Sequence, residues 1–223
     1  MIGAPRSNFA MTRKRERLFW PSGRKFRILS IDGGGIKGIF PAALLAEVEQ
    51  LFLGGESAGQ FFDMIVGTST GGIIALGLGA GLAARRMLDL YMAKGPEIFP
   101  PGRAARWIGN LRSLAMYRYD RSALTAALTD VLGARVLAQS SRRLCIPAFE
   151  GHHGEVYVFK TPHHPDFHLD GTQTMVDVAQ ATSAAPTYFR SHDAGGYRFI
   201  DGGLWANNPL MLGMRSEIGR AHV

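Results

Sequence analysis

The chain has 223 residues, 46% hydrophobic and 19% charged, which is the composition of a globular protein and excludes a largely disordered one. Its formal net charge of +7 favours an anionic partner, but no sequence pattern of a nucleic-acid-binding protein accompanies it, so we expect no nucleic-acid partner. The lone cysteine, Cys145, excludes an internal disulfide, and no run approaches the ~18 apolar residues of a membrane span.

The first half of the chain contains two strand–loop–helix units. Apolar residues at 26–31 predict a strand, and after a glycine-rich loop residues 39–53 repeat apolar side chains at helical spacing. A second apolar run at 61–66 predicts another strand, which leads into a predicted helix over 71–94. Because successive strand–helix units place their strands in parallel, this order predicts an α/β fold.

The second half of the chain adds shorter elements. The sequence predicts a helix over 123–132, strands over 143–149 and 155–161, a helix over 176–185 and a last strand over 197–200. Between the two halves, residues 103–114 mix three arginines with Trp107 and aliphatic side chains. That mixture suits either a basic amphipathic segment at a membrane surface or an ordinary surface helix.

The second strand ends in Gly67-Thr68-Ser69-Thr70-Gly71, which has the G-x-S-x-G spacing. Between a strand and a helix, this motif is typical of a nucleophilic serine on a sharp turn. Side chains two residues to either side would collide there, so Gly67 and Gly71 are required. The positive end of the following helix favours developing negative charge. The motif therefore predicts Ser69 as a nucleophile, against the alternative of a plain strand-to-helix turn.

The loop over residues 32–38, with the sequence DGGGIKG, admits two interpretations. Gly33, Gly35 and Gly38 have the G-x-G-x-x-G spacing of a dinucleotide-binding loop. The second strand, however, does not end in the acidic residue that a ribose requires, and Asp32 would place a carboxylate beside a diphosphate.

The alternative function of this loop is to bind an oxyanion. The backbone N–H groups of Gly33, Gly34 and Gly35 can point at a developing negative charge, because no side chain blocks the approach. Lys37 either attracts an anionic head group or is simply solvated. We favour the oxyanion loop and keep a Rossmann-type nucleotide-binding protein as the rival hypothesis.

A nucleophilic serine needs a base, and the histidines are poor candidates. Five of the seven lie between residues 152 and 168, and their spacing matches no strong zinc pattern, so we expect a polar surface loop and no metal. Only His222 follows Asp201, which leaves no good histidine for a Ser–Asp–His order. Asp201 directly follows the last predicted strand and can itself act as the base. Gly202 and Gly203 let the chain turn away at once.

Five stretches in this order resemble the patatin-like phospholipase family over about residues 26–212. They are DGGGIKG at 32–38, GTSTG at 67–71, ATSAAPTYF at 181–189, DGG at 201–203 and WANNP at 205–209. The resemblance implies a three-layer α/β sandwich with a mostly parallel central sheet and helices on both faces.

The same resemblance implies a carboxylic ester hydrolase of phospholipase A type that acts on the acyl esters of membrane lipids. It assigns Ser69 and Asp201 to a catalytic dyad and implies neither a metal nor a cofactor. The oxyanion loop is implied to be Gly33, Gly34 and Gly35. Supporting motif positions are Asp32, Lys37, Gly38, Gly67, Gly71, Gly202 and Gly203.

A narrower resemblance concerns residues 146–150 and 156–166. These stretches are similar to bacterial patatin-like effectors of anti-phage systems, which are switched on by a cyclic nucleotide and degrade the host membrane. The resemblance implies a phospholipid substrate, a cyclic nucleotide activator and a cytoplasmic protein that contacts the inner face of the membrane peripherally.

We divide the chain into a basic arm at residues 1–25, a hydrolase domain at 26–215 and a tail at 216–223. Residues 218–223, with the sequence IGRAHV, can be encoded by the start of a common sequencing adapter, so we expect the tail to be non-native and the natural domain to continue past about Arg215. A non-catalytic binding module with the same fold stays open as a second rival hypothesis.

Overall fold

The computed structural model describes residue 21 and residues 23–98, 121–186 and 188–217. Most of the expected basic arm, the segment 103–114 and residues 218–223 of the expected tail lie outside the described residues. The strands are β1 (Ile28–Ile31), β2 (Met64–Gly67), β3 (Arg143–Glu150), β4 (Glu155–Lys160), β5 (His192–Ala194) and β6 (Tyr197–Asp201). The helices are α1 (Ile39–Phe52), α2 (Thr70–Gly79), α3 (Ala84–Ile98), α4 (Arg121–Leu132), α5 (Met175–Thr182), α6 (Gly203–Ala206) and α7 (Leu210–Glu217).

Six strands form one mixed sheet in the order β1-β2-β3-β6-β5, with β4 also paired to β3. β2 lies parallel to β1 and to β3, whereas the β3–β4, β3–β6 and β5–β6 pairs are antiparallel. The α/β class is confirmed, and the sheet is mixed where a mostly parallel one was expected. The physical reason is that two hairpins close the second half, and a short turn joins only antiparallel strands. Gly195 and Gly196, both with positive φ, form the turn before β6.

Two strands share one edge of β3, and their carboxyl ends meet there. β2 pairs with β3 at residues 143–145, β6 pairs with it at 148–150, and β4 occupies the opposite edge over 145–150. Because β2 runs parallel to β3 and β6 runs antiparallel to it, the two strands point towards each other and end near Pro147. The residues after β2 and the last residue of β6 are therefore brought together.

Helices cover both faces of the sheet. Every residue of α2 is buried, and this helix packs on β2 and β3 beneath α3, α4 and α5. Ile65 belongs to this main core, while its neighbours Met64 and Val66 point to the other face, as strand alternation requires. There they pack with Cys145 and with Leu212 of α7.

The helix predicted over 71–94 is two helices. α2 ends at Gly79, and Gly81 turns the chain with a φ of 80°, a conformation that favours glycine. The N–H groups of Gly81 and Leu82 donate back to carbonyls of α2, which satisfies the end of that helix. Small and apolar residues continue through the turn, so the periodicity did not reveal the break.

α1 exposes apolar side chains and buries a charged one. Phe40, Leu44 and Leu51 are 73%, 54% and 61% exposed, although they lie on one face of the helix. Glu49, on the opposite face, is only 3% exposed. Its carboxylate accepts hydrogen bonds from the Ala58 and Ala84 N–H groups and so caps the start of α3. Within the described residues, no helix is both long and apolar enough to cross a membrane.

Candidate active site

The predicted nucleophile Ser69 occupies a strained turn between β2 and α2. Its φ is 54°, and among the described residues no other non-glycine residue has a positive φ. A Cβ on Gly67 would lie 2.2 Å from the Gly71 carbonyl oxygen, and one on Gly71 would lie 2.3 Å from the Ile31 carbonyl oxygen. The backbone therefore packs too closely around Ser69 for any side chain at these two positions, as the motif predicted.

The meeting of the two strand ends places Ser69 against Asp201. The Ser69 Oγ donates a hydrogen bond of 2.7 Å to Asp201 Oδ2, across 132 residues of sequence. The second carboxylate oxygen, Oδ1, accepts a 2.7 Å bond from the Gly203 N–H. Ser69 is 9% and Asp201 6% exposed, so the pair is nearly enclosed. A Cβ on Gly202 would lie 2.3 Å from the Pro147 carbonyl oxygen, which explains glycine after the carboxylate.

The environment of Asp201 makes its carboxylate more basic. Burial raises the pKa of the Asp201 carboxyl above its ordinary value of 3.8, because the ionised form loses hydration. The hydrogen bonds from the Gly203 N–H and the Ser69 hydroxyl favour the ionised form and oppose this rise in pKa. A carboxylate with a raised pKa is a better proton acceptor.

The glycine loop lies beside Ser69 and starts a short 3₁₀ helix, Gly35–Gly38. A Cβ on Gly33 would lie 3.4 Å from the Ser69 Cβ. The Gly33 N–H, however, already donates to the Asn207 carbonyl oxygen at 3.1 Å. Within the part of the chain that the structure describes, no acceptor engages the N–H groups of Gly34 and Gly35. Of the three predicted donors, Gly33 thus already has an acceptor for its N–H group, and the oxyanion role of the loop stays a prediction.

The remaining motif positions have separate environments. Gly38 packs against α2, where a Cβ would lie 3.0 Å from the Thr70 Cβ. Asp32 and Lys37 are exposed on the loop. A Cβ on Gly203 would lie 3.0 Å from Asp201 Oδ1, so the N–H of Gly203 can approach the carboxylate closely.

Two residues that contact this site were not assigned a role from the sequence. Thr182 accepts a hydrogen bond from the Ser69 N–H, and Asn207 holds Gly33. Both lie inside stretches that carried the family resemblance, ATSAAPTYF and WANNP. The family motifs identified these two stretches, but the contacts of Thr182 and Asn207 join residues far apart in the chain and depend on the fold.

The histidines that the structure describes have partners away from Ser69. His153 Nδ1 lies 2.9 Å from Glu150 at the β3–β4 turn, and His192 Nε2 lies 3.1 Å from Asp177. Burial, with neighbouring cations, lowers the pKa of His163 to about 3. No group of three or more His, Cys, Asp or Glu side chains in the described ranges has the arrangement of a metal site.

A buried serine on a strand-to-helix turn, hydrogen-bonded to a side chain that can accept its proton, is the arrangement of a serine hydrolase. The family model for patatin-like phospholipase matches residues 29–214. The chain therefore belongs to the patatin-like phospholipase family. This membership excludes the Rossmann-type alternative.

Curated relatives share this region of the chain. A cGAMP-activated phospholipase of Escherichia coli (strain TW11681) is 40% identical over 200 residues, which cover 85% of this chain and 55% of the relative. One of Vibrio cholerae (serotype O1) is 40% identical over 203 residues, with 84% and 56% covered. Patatin-like protein 2 of Arabidopsis thaliana is 37% identical over 214 residues, with 85% and 52% covered. The chain thus spans about half the length of these relatives.

A solved structure shares the fold at low sequence identity. VipD from Legionella pneumophila superposes with a TM-score of 0.50 at 14% identity, over 81% of this chain and 46% of VipD. The same α/β architecture is therefore found in a protein of very different sequence.

Proposed function

We propose that this protein hydrolyses the acyl esters of membrane phospholipids with Ser69 as the nucleophile and Asp201 as the base. The observation that carries the proposal is the 2.7 Å hydrogen bond from Ser69 Oγ to Asp201 Oδ2 on a strained turn. Asp201 takes the hydroxyl proton while Ser69 attacks the ester carbonyl. The protonated Asp201 then protonates the leaving alcohol, and water activated by Asp201 releases the acyl group from Ser69.

The tetrahedral intermediate carries a negative charge that the glycine loop is placed to bind. We assign the donors to the N–H groups of Gly34, which precedes the 3₁₀ helix Gly35–Gly38, and of Gly35, its first residue. The Gly33 N–H is engaged by Asn207, so we assign Gly33 a packing role beside Ser69. The first residues of α2 add the positive end of a helix at the nucleophile.

The direct test is the release of fatty acid from vesicles of phosphatidylglycerol and phosphatidylcholine. Ser69→Ala removes the nucleophile and is expected to lower the release by about 10³-fold or more. Ser57→Ala is the matched control, because this buried hydroxyl donates to the Leu82 carbonyl oxygen and has no role in the mechanism. Release by Ser69→Ala at the level of the Ser57→Ala variant would contradict the proposal.

We also propose that the protein reaches its substrate by peripheral contact with the inner face of the membrane. The exposed apolar face of α1 supports this contact, since a helix with such a face can lie in the interface of a bilayer. α1 packs on α3, which in turn packs on α2, the helix that follows Ser69.

Changing this face tests the contact. Replacing Phe40, Leu44 and Leu51 together by serine is expected to weaken binding to vesicles at least about tenfold, because three large apolar side chains no longer enter the interface. Val156→Ser is the control, since Val156 is 57% exposed on β4. Equal binding by both variants in a sedimentation assay would argue against α1 as the contact.

A second proposal concerns regulation. Three relatives at 37–40% identity are named cGAMP-activated phospholipases. We propose that cGAMP also activates the protein to which this chain belongs, as an effector of antiviral defence. Fatty-acid release measured with and without cGAMP tests it: an increase of about tenfold or more is expected. Release that does not change with cGAMP would contradict the activation and leave the hydrolase proposal standing.

A further inference from the structure

Ser69 is held in an unfavourable backbone conformation by a bond that lies outside its own motif. A non-glycine residue keeps a positive φ only where the surrounding structure fixes it. The Ser69 N–H precedes α2 and donates to the Thr182 Oγ1 at 3.0 Å. Thr182 is 0% exposed, so water cannot replace its hydroxyl.

The direction of this hydroxyl is fixed by a second bond. Thr182 Oγ1 donates its proton to the Pro147 carbonyl oxygen at 2.6 Å, and a carbonyl can only accept. The lone pairs of the hydroxyl are therefore left for the Ser69 N–H. Pro147 lies where β2 and β6 end, so the hydroxyl joins the nucleophile to the middle of the sheet.

The C-terminal end of α5, which carries Thr182, also holds the backbone around Asp201. Thr182 ends α5, and the last carbonyls of a helix have no partner within it. The Thr182 carbonyl oxygen accepts a bond from the Gly202 N–H at 3.2 Å, and the Ala184 carbonyl oxygen accepts one from the Asp201 N–H at 3.0 Å. The C-terminal end of α5 is thereby bonded to both members of the pair.

We infer that Thr182 is a positioning residue that sets the distance between Ser69 and Asp201. Its hydroxyl fixes the backbone of the nucleophile, and its carbonyl fixes the residue after the base. Because Thr182 is fully buried, it acts through Ser69 and does not touch the substrate. This inference rests on the proposed hydrolase function for its kinetic consequences and on the hydrogen bonds alone for its structural ones.

The two parts of the Thr182 side chain can be tested separately. Thr182→Val keeps the shape and loses the hydroxyl, whereas Thr182→Ser keeps the hydroxyl and loses the methyl group. That methyl group packs on α2, since a Cβ on Gly72 would lie 2.8 Å from Thr182 Cγ2. If the hydroxyl positions Ser69, the valine variant is impaired and the serine variant restores the function.

The kinetic readout is the hydrolysis of a soluble p-nitrophenyl ester by the full chain, with the concentration of folded protein measured for each variant. Thr182→Val is expected to lower kcat by about 10- to 100-fold with KM unchanged within about twofold, because a misplaced nucleophile slows the chemical step. Thr182→Ser is expected to stay within about threefold of the wild type.

Thr161→Val is the matched control for the loss of a buried hydroxyl. Thr161 is 4% exposed, and its Oγ1 accepts a 3.0 Å bond from the Leu144 N–H at the start of β3. The variant therefore loses the same kind of bond away from Ser69, and we expect its kcat to stay within about twofold of the wild type. A kcat for Thr182→Val equal to that of Thr161→Val would overturn the inference.

Crystal structures of the two Thr182 variants supply a readout that needs no turnover. We expect the Ser69 Oγ and Asp201 Oδ2 to lie beyond about 3.5 Å in Thr182→Val and within hydrogen-bond distance in Thr182→Ser. A wild-type protein that hydrolyses no ester would defeat the proposed function, and these distances would still decide the role of Thr182. An unchanged distance in Thr182→Val would overturn that role.

Discussion

Ser69 occupies a conformation that costs about 1–3 kcal/mol for a residue with a side chain. The chain offsets this cost with close backbone packing at Gly67 and Gly71 and with the bond to Thr182. The result is a hydroxyl fixed 2.7 Å from a buried carboxylate before any substrate arrives. At the scale of single residues, this geometry is the one that the proposed proton transfer requires.

The raised pKa of Asp201 predicts how stability depends on pH. The neutral carboxyl suffers no charge burial, so this cost is absent below the ordinary value of 3.8, grows between 3.8 and the raised pKa, and is constant above it. The stabilisation by Asp201→Asn, relative to the wild type, is therefore expected to be larger at pH 7 than at pH 4. Urea unfolding at both values measures it, and a difference that shrinks with rising pH would contradict the assigned shift.

The close packing at Gly67 predicts a steric penalty. Gly67→Ala places a Cβ 2.2 Å from the Gly71 carbonyl oxygen, and backbone cannot move aside cheaply. We expect a loss of about 3 kcal/mol or more in unfolding free energy. Gly171→Ala is the control, because its Cβ meets no atom nearer than 3.6 Å, and it should stay within about 1 kcal/mol. Equal losses by chemical denaturation would refute the packing argument.

At the scale of elements, α1 exposes large apolar side chains in addition to packing Ala42 and Leu45 on the core. Its inner face carries Glu49, which caps the start of α3, while its outer face carries Phe40 and Leu44. The helix thus gains stability from a buried polar contact and leaves an apolar surface exposed. The proposed membrane contact uses that surface.

Removal of the Glu49 cap is expected to destabilise the fold. Glu49→Ala leaves the Ala58 and Ala84 N–H groups buried without an acceptor, which costs about 2–4 kcal/mol in unfolding free energy. Glu47→Ala, on the exposed side of the same helix, should change it by less than about 0.5 kcal/mol. A urea titration that finds the two variants equally stable would disprove the capping role.

At the scale of the whole molecule, features that depend on local patterns could be predicted from the sequence, and features that depend on long-range contacts could not. The strand-turn-helix around Ser69 and the choice of Asp201 followed from short motifs, because glycine spacing reports local geometry. The head-to-head meeting of β2 and β6, the bond from Gly33 to Asn207 and the role of Thr182 join residues far apart in the chain. No local pattern encodes such pairs. The predicted single helix over 71–94 failed because apolar residues continue through the turn at Gly81.

The central claim is that Ser69 is a nucleophile activated by Asp201, and covalent labelling with a fluorophosphonate probe tests it most directly. We expect peptide mass spectrometry to find the label on Ser69 in the wild type and no label in Ser69→Ala. Asp201→Ala is expected to react at least about 100-fold more slowly than the wild type. Asp193→Ala, which removes an exposed carboxylate paired with Arg198, should label at the wild-type rate. Labelling of Ser69→Ala and Asp201→Ala at the wild-type rate would contradict the claim.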